Sequence, residues 1–452
     1  MQINDGDIHT GKPVPFKVYT HSNLNKIPQL RNFDKEHIFA MQVVATVLPF
    51  RVNQYVLDNL IDWNNISDDP MFQLTFPQQQ MLEPEHFERI AGLIKSGADN
   101  IEIRSAVREI HLQLNPHPAE QRTLNVPRHK NLQLEGVQHK YRETVLFFPY
   151  QGQVCHSFCT FCFRWPQFVN DSELRIALTE GKRLRSYLRD QKEVTDLLVT
   201  GGDPLVMKTS ILARHIEPIL GSEFDHIQNI RIGTKALTYW PYRFTRDSDS
   251  ADLLRLFERI VKSGKHLAIM AHFTHWRELE PDATVDAIRE IQSTGAVIRS
   301  QSPVLRHLND DPAVWVKLWR RQVQLGVVPY YMFVERDTGA RRYFEIPLAR
   351  TWEIYQKAIQ QVSGLGRTAR GPSMSAGPGK VEIQGVSVVN GEKCFVLRFI
   401  QGRNPDWVER PYFASYNPGA TWLDQLNPAF GEDKFFYEDE YEEMRKKHTC
   451  GC

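Results

Sequence analysis

Apolar positions recur at helical spacing near the start of the chain. Four stretches show this pattern, at residues 35–48, 53–63, 83–95 and 100–114, and prolines such as Pro70 and Pro77 separate them. A proline-rich connector at residues 115–127 ends the region. We therefore predict a helical N-terminal region over residues 1–128, with a packing or lid role.

A different rhythm follows the connector. Short apolar runs rich in Val, Ile and Phe occupy residues 144–148, 196–200, 229–233, 266–273, 296–302 and 327–333. Amphipathic stretches between them predict helices near residues 172–190, 209–220, 250–263, 282–293 and 312–325. Strands that alternate with helices are typical of repeated βα units around a parallel sheet. We predict an α/β fold with a partial, TIM-like (β/α)6 barrel over residues 129–345 and a C-terminal extension over residues 346–452.

Composition narrows the function classes. The 55 basic and 54 acidic residues nearly cancel, so neither a nucleic-acid-binding surface nor a surface for acidic partners is indicated. Residues 1–10 lack the basic and apolar run of a signal peptide, and nowhere do eighteen apolar residues follow one another. We expect a cytoplasmic protein without membrane or nucleic-acid partners. Six cysteines, half of them in one short stretch, suit a reducing compartment.

Three cysteines lie together in the loop after the first predicted strand. Cys155, Cys159 and Cys162 have the spacing C-x3-C-x2-C within residues 154–168. A structural zinc site normally has four protein ligands, and the adjacent His156 is badly placed to complete the set. Three thiolates fit a cubane [4Fe-4S] cluster, which keeps one iron free of protein ligands so that a small molecule can chelate it. A zinc knuckle and three ordinary thiols remain the alternatives.

A second motif follows the second predicted strand. The run T-G-G-D-P places Gly201, Gly202 and Asp203 at the carboxyl end of that strand, where active sites of parallel barrels gather. Paired glycines let backbone approach a ligand closely, and the carboxylate could accept hydrogen bonds from an ammonium group. The same run also makes an ordinary turn, so its meaning depends on the cysteine loop that precedes it.

The cysteine spacing, with an aromatic residue before the third cysteine, resembles the signature of radical S-adenosylmethionine (SAM) enzymes. Residues from about 115 to 385 resemble the lysine 2,3-aminomutase family more closely still, whereas the helical start and the tail after about residue 395 are weakly covered. The matching runs, in order, are His139-Lys140-Tyr141, the cysteine loop with Arg164, Gly201-Gly202-Asp203, Arg231-Ile232-Gly233-Thr234, His272-Phe273-Thr274-His275, Gln301-Ser302 with Leu305-Arg306 and Asn309-Asp310, Pro329-Tyr330-Tyr331, and Gly377-Pro378-Gly379-Lys380.

This resemblance implies three cofactors: a [4Fe-4S] cluster on the cysteines, SAM, and pyridoxal phosphate (PLP). It implies an isomerase that converts an α-amino acid to its β-amino isomer through a 5'-deoxyadenosyl radical. It also implies an electron donor such as flavodoxin or ferredoxin, and a homo-oligomer. By position, the residues that would contact SAM are Phe161, Gly201, Gly202, Asp203, His272 and Gln301.

For PLP, the resemblance points to the lysine in the run S-A-G-P-G-K. Lys380 matches the family lysine that links covalently to PLP, and a P-loop is disfavoured because Val381 replaces the hydroxyl residue. A solvated turn lysine is the alternative. Lys140, next to Tyr141, occupies the place of a family arginine near the PLP phosphate and could serve by charge. Thr144 stands where a second family arginine would be, so the resemblance implies phosphate binding that is either weaker or built differently.

The substrate stays open at the sequence level. Arg164 matches the family arginine that holds the substrate carboxylate, and a surface arginine is its alternative. Lysine-specific members place two aspartates around the distal ammonium, and those positions fall at or beside Arg336 and at Ser373. This departure argues against lysine and could suit glutamate. If Glu335 or Asp337 points inward, arginine or another cationic amino acid becomes a candidate substrate again.

The tail and two other functions complete the predictions. Family members bind a structural zinc through tail cysteines and one barrel cysteine, but this chain has Asp311 near the barrel position and only Cys394 besides Cys450 and Cys452. A zinc site there is possible on this pattern, and exposed thiols are the alternative. A radical SAM enzyme that uses no PLP and a non-catalytic iron-sulfur protein are the competing functions.

Overall fold

We analysed a computed structural model, which describes residues 13–450, apart from the side chains of Thr449 and Cys450. The N-terminal run at residues 1–10 and the thiols of Cys450 and Cys452, on which two of the predictions depend, lie outside the described residues. Among the described residues, no helix is both long enough and apolar enough to cross a membrane.

The described residues form three sheets. Their strands are β1 (Val18–Thr20), β2 (Arg51–Asn53), β3 (Arg128–His129), β4 (Leu132–Gln133), β5 (Val137–Tyr141), β6 (Thr144–Phe147), β7 (Asp196–Val199), β8 (Asn229–Thr234), β9 (His266–His272), β10 (Val297–Val304), β11 (Val328–Val334), β12 (Arg370–Ser375), β13 (Gly379–Val389), β14 (Glu392–Gly402) and β15 (Pro411–Ser415). Eleven of them make one sheet in sequence order from β5 to β15, and β1 with β2 and β3 with β4 make small antiparallel pairs.

The six predicted barrel strands are confirmed as β6 to β11, and neighbouring strands in this set are parallel. The sheet stays open among the described residues because β5 and β15 form its two edges. A seventh parallel strand, β12, lies beside β11 and was not predicted. Its sequence, R-G-P-S-M-S, lacks the β-branched and aromatic residues from which a strand is recognised.

Helices cover the barrel and build the N-terminal region. The α-helices are α1 (Lys35–Val47), α2 (Gln54–Asn59), α3 (Pro70–Thr75), α4 (Pro84–Ser96), α5 (Asn100–Gln113), α6 (Gly181–Asp190), α7 (Thr209–Ile216), α8 (Ala236–Tyr239), α9 (Tyr242–Thr245), α10 (Ser250–Lys262), α11 (Asp282–Ser293), α12 (Pro312–Gln324), α13 (Arg341–Phe344), α14 (Leu348–Ile359) and α15 (Glu438–Cys450). The predicted helices near 209–220, 250–263, 282–293 and 312–325 are confirmed as α7, α10, α11 and α12.

Two helix predictions need correction. The helix predicted at 172–190 begins only at Gly181, because Leu178 lies extended beside the end of β6, donating its N–H to the Phe148 carbonyl at 2.8 Å and accepting from the Tyr150 N–H at 3.1 Å. The helix predicted at 53–63 is shorter, since Asn53 caps it rather than entering it and the helix ends at Asn59.

Three clusters of buried apolar side chains hold these layers together. One lies between the barrel strands and their helices, a second fills the N-terminal helical region, and a third packs between the antiparallel strands β13 to β15 and the C-terminal segment. The second cluster includes Phe161 from the cysteine loop and Tyr239 from α8, so the N-terminal region packs directly on the mouth of the barrel. The domain boundaries at 128 and 345 remain a prediction.

Candidate functional site

One cavity of about 220 Å³ lies inside the barrel and is lined by half of the predicted site residues. The predicted residues that line it are Lys140, Tyr141, Phe161, Arg164, His272, Gln301, Arg336 and Lys380. They come from β5, the cysteine loop, three barrel strands or strand ends, and β13. Residues that the sequence assigned to the cluster, SAM, PLP and substrate therefore face one enclosed space or the loops beside it.

The N-terminal region holds the cysteine loop in place. The Phe158 N–H donates to the Arg51 carbonyl at 2.8 Å, and the Thr160 hydroxyl donates to the Gln73 carbonyl at 2.7 Å. The Asn53 side-chain amide donates to the His156 carbonyl at 3.3 Å. A loop of this kind has no ladder of its own, so these bonds satisfy backbone groups that would otherwise be unpaired.

The three cysteine thiols are free and close enough to influence one another. Burial raises the pKa of Cys159 to about 11 and that of Cys162 to about 12, and burial with the neighbouring Asp203 carboxylate raises the pKa of Cys155 well above its usual value. Within the described part of the chain, no three His, Cys, Asp or Glu side chains converge so as to hold a single metal ion. The three thiols lie in one loop, as a cluster whose thiolates bind separate irons requires.

Arg164 links the cysteine loop to the second motif. Its guanidinium donates to the Thr200 hydroxyl and, at 3.0 Å, to the Gly201 carbonyl, and it lies 5.0 Å from the ring centroids of Phe148 and Phe163. Burial lowers the pKa of Arg164 to about 10, so the cation lies in a poorly solvated place. A carboxylate that entered the cavity would gain from this charge.

The two glycines of the second motif pack against the cysteine loop. A Cβ at Gly202 would come within 2.6 Å of the Val154 backbone, and Gly201, at φ +148°, lies against the Gln153 side chain. The Asp203 N–H donates to the Val154 carbonyl at 2.8 Å. The absence of side chains therefore lets the two loops touch, which adds a structural reason for G-G to the predicted contact with SAM.

The Asp203 carboxylate is already engaged within the protein. It accepts from the Leu205 N–H at 2.9 Å, from the Lys235 N–H at 2.9 Å, and from the Thr234 hydroxyl at 2.8 and 2.9 Å. Burial raises its pKa to about 6. These bonds fix the ends of β7 and β8 relative to each other, while the predicted contact of Asp203 with an ammonium group stays a prediction.

His272, Gln301 and Phe161 form one wall of the cavity. The His272 ring lies 5.5 Å from the Phe161 ring, and its Nε2 atom is buried without a hydrogen-bond partner among the described residues. Burial and the nearby Lys235 cation hold the pKa of His272 well below its usual value, so the imidazole is neutral. A neutral imidazole with a free ring nitrogen can accept or donate one hydrogen bond to a ligand.

Lys380 is a buried amine that faces the cavity. Its Nζ atom donates to the Gln401 side chain at 3.0 Å and lies 4.1 Å from the Tyr331 ring centroid. Burial, with the nearby cations of Arg231 and Arg370, lowers the pKa of Lys380 to about 7. The alternative of a solvated turn lysine is wrong for this geometry, because such a lysine would be exposed.

Cations cluster at one end of the cavity, where Lys140, Arg336 and Lys380 line the wall and Arg403, outside the lining, lies near Lys140. Burial, then the charges of Arg403, Arg336 and Lys380, hold the pKa of Lys140 well below its usual value. Arg403 donates to the Gly377 carbonyl at 2.8 Å and to the Asn125 side chain at 2.5 Å. Like charges held together in a poorly solvated place favour the entry of an anion. Sequence reasoning missed Arg403, which follows β14 in the weakly covered tail.

The residues predicted to contact the distal end of the substrate do not all line the cavity. Asp337 lies outside the cavity lining and accepts from the Asn115 side-chain amide at 3.2 Å. Ser373 is fully buried in β12, and its hydroxyl has no hydrogen-bond partner among the described residues. Glu335 and Arg336 both line the cavity, and burial raises the pKa of Glu335 well above its usual value. Glu335 therefore points inward, which is the condition under which the sequence analysis favoured arginine or another cationic amino acid as the substrate.

The structure describes two of the residues named in the zinc prediction, Asp311 and Cys394. Asp311 caps α12 by accepting from the Ala313 N–H at 2.9 Å, and Cys394 is fully buried in β14. The zinc prediction otherwise depends on tail thiols outside the described residues and stays a prediction.

Comparisons with known proteins identify relatives of this chain. No family model matches the chain. It is 29% identical over 396 residues to a provisionally named L-lysine 2,3-aminomutase of Aquifex aeolicus, covering 87% of this chain and 92% of that protein. It is 22% identical over 417 residues to L-lysine 2,3-aminomutase of Methanococcus maripaludis, covering 91% and 85%. With glutamate 2,3-aminomutase of Clostridioides difficile it shares 25% identity over 251 residues, covering 55% and 56%. The chain is therefore related, over most of its length, to the lysine 2,3-aminomutase family.

Proposed function

We propose that this protein is a radical SAM, PLP-dependent amino acid 2,3-aminomutase that converts an α-amino acid to its β-amino isomer. The observation that carries the proposal is the shared cavity: the buried amine of Lys380 lines the same space as Phe161 and Arg164 of the cysteine loop. A lysine whose pKa is lowered to about 7 is partly neutral at physiological pH, as a nucleophile toward an aldehyde must be.

The bound cofactors would supply radical removal of an unactivated hydrogen and a ring that delocalises the unpaired electron. The residues of this chain bind and orient. We assign the cluster to Cys155, Cys159 and Cys162, whose thiols must lose their protons to bind iron. We assign the PLP phosphate to the cationic end formed by Lys140, Arg336 and Arg403, and the PLP aldehyde to Lys380.

The enclosure of the cavity contributes to the chemistry. Tyr331 and Phe333 cover the Lys380 amine, and Phe148 and Phe163 flank the Arg164 guanidinium. Aromatic walls exclude water from a site where a reactive carbon radical would otherwise be quenched, and they strengthen each charge-assisted hydrogen bond within it.

We assign the substrate carboxylate to Arg164 and infer that the distal group of the substrate is cationic. Glu335 supports this inference, since it is 6% exposed, lines the cavity and forms no ion pair within the described residues, although the Arg336 backbone N–H donates a hydrogen bond to it. A buried acid of this kind gains most from an entering cation. Glu335→Gln is expected to weaken binding of arginine or lysine more than binding of glutamate, and the reverse order would exclude the inference.

The central test incubates the anaerobically reconstituted, reduced protein with SAM, PLP and each amino acid in turn. We expect a β-amino isomer and 5'-deoxyadenosine from at least one cationic amino acid, measured by mass spectrometry. If no amino acid, free or as a derivative, provokes release of deoxyadenosine, the aminomutase proposal is wrong. An external one-electron donor and a homo-oligomer belong to the proposal and are tested by activity with a flavodoxin or ferredoxin and by light scattering.

Two competing functions give different results. A radical SAM enzyme without PLP would show no visible absorbance from a PLP–lysine adduct, whereas we expect such absorbance in the wild type and its loss in Lys380→Ala. Lys393→Ala is the matched control, because this lysine lies on the neighbouring strand β14, over the Tyr416 ring and outside the cavity lining. A non-catalytic iron-sulfur protein would carry a cluster whose electron paramagnetic resonance (EPR) signal does not change when SAM is added.

A further inference from the structure

One tyrosine hydroxyl contacts a cysteine of the candidate cluster site. Tyr239 is the last residue of α8, directly beyond β8, and its hydroxyl oxygen lies 3.1 Å from the Cys159 sulfur. The tyrosine is 1% exposed, so water does not compete for this contact. None of the roles assigned above uses this hydroxyl.

The surrounding residues hold the tyrosine in this position. The Asn53 side-chain amide donates to the Tyr239 carbonyl at 2.7 Å, and the Lys235 amine lies 5.0 Å from the phenol ring centroid. Lys235 in turn forms a buried ion pair with Glu278 at 2.5 Å. The backbone and the ring are thus both fixed, and the hydroxyl stays directed at the sulfur.

We propose that Tyr239 is a positioning residue whose hydroxyl donates a hydrogen bond to the Cys159 thiolate and thereby raises the reduction potential of the cluster. The inference rests on the proposed function, because it requires a cluster on the three cysteines. A cysteine bound to iron carries no proton, so the phenol, which keeps its proton at neutral pH, is the only possible donor in this pair.

The direction of the effect follows from charge. Reduction adds one electron, and part of the added negative charge resides on the cysteine sulfurs, so a donor hydrogen bond to a sulfur stabilises the reduced cluster more than the oxidised one. If the difference is comparable to one ordinary hydrogen bond, the ratio of reduced to oxidised cluster at a fixed potential changes by about fivefold. For a one-electron couple this corresponds to about 40 mV.

The test is a redox titration of the reconstituted protein without SAM, monitored by EPR, for wild type, Tyr239→Phe and Tyr55→Phe. At the wild-type midpoint we expect the ratio of reduced to oxidised cluster in Tyr239→Phe to fall about fivefold, so that the reduced fraction falls from one half to about one sixth. Tyr55→Phe should titrate like wild type, because Tyr55 is a buried tyrosine of the same apolar cluster whose hydroxyl bonds to none of the three cysteines within the described residues. Equal midpoints for wild type and Tyr239→Phe would overturn the inference while leaving the cluster assignment intact.

A second measurement guards against a variant that folds or loads poorly. Incorporating 3-fluorotyrosine throughout the chain makes every phenol a stronger donor, so the midpoint should rise in wild type and in Tyr55→Phe. It should not rise in Tyr239→Phe. A midpoint that is unchanged by fluorination in wild type contradicts the inference. A protein that binds no reducible cluster at all contradicts the proposed function instead.

Discussion

Lys380 offers the sharpest quantitative prediction, because its pKa is lowered from 10.5 to about 7. At pH 7 about half of the Lys380 amines should be neutral, compared with about one in 3,000 for a lysine with the ordinary value. An acylating reagent attacks only neutral amines. In the PLP-free protein, labelling of Lys380 measured by peptide mass spectrometry should therefore follow a titration curve with its midpoint near pH 7.

The ion pair between Arg231 and Asp196 allows the electrostatic cause of the Lys380 pKa shift to be tested in both directions. Arg231 lowers the pKa of Lys380 and Asp196 raises it, and the two side chains pair at 2.8 Å. Arg231→Gln removes a cation and frees a carboxylate, so the pKa should rise by up to about one unit and labelling at pH 6 should slow by up to about tenfold. Asp196→Asn should shift the midpoint downward. Arg299→Gln, which removes a cation that stacks on Tyr330, is the control.

The sign of the stability change follows from the same shift. Between pH 7 and 10.5 the unfolded chain binds a proton at Lys380 that the folded chain does not, so the contribution of this group to stability rises with pH. A labelling midpoint near 10.5 in wild type would refute the reasoning. Midpoints that stay near 7 in both Arg231→Gln and Asp196→Asn would show that burial alone sets the pKa.

Three further predictions concern the loops and the cationic end. Gly202→Ala should abolish cluster loading, because its Cβ would lie 2.6 Å from the Val154 backbone. Gly92→Ala in α4 is the control, since its Cβ would meet no neighbouring atom within 4 Å; this variant should load normally, and its free energy of unfolding should rise by about 0.5–1 kcal/mol. Arg403→Gln should weaken PLP binding about 10- to 100-fold by fluorescence titration, because its charge lies near Lys140, while Arg410→Gln, which removes a cation stacked on Phe436, should leave it unchanged. Thr160→Val removes the hydrogen bond to the Gln73 carbonyl and should speed loss of the cluster to a chelator. Thr46→Val, which removes a similar bond within α1, should leave that rate unchanged. An unchanged rate in Thr160→Val would mean that this bond does not support the loop.

Much of the barrel could be read from the sequence, and the cationic end of the cavity could not. Unbroken apolar runs, such as residues 267–271 in β9, mark strands because both of their faces are buried in a parallel sheet. Lys140 and Arg403 are separated by most of the chain, and they meet because the strands curve round until β14 contacts β5. No local pattern carries that information, so an arginine after an ordinary strand gives no signal of its role.

The N-terminal region illustrates a deeper limit. Helices α1, α4 and α5 were predicted, yet the hydrogen bonds to the cysteine loop go to carbonyl groups of Arg51 in β2 and of Gln73 and Leu74 in α3, which was not predicted. Every residue type has a carbonyl, so these contacts leave no mark on the sequence. Because these carbonyls accept hydrogen bonds from the loop, its shape depends in part on elements that carry none of the cysteines. The helical region is therefore better regarded as part of the support of the cysteine loop than as a separate lid.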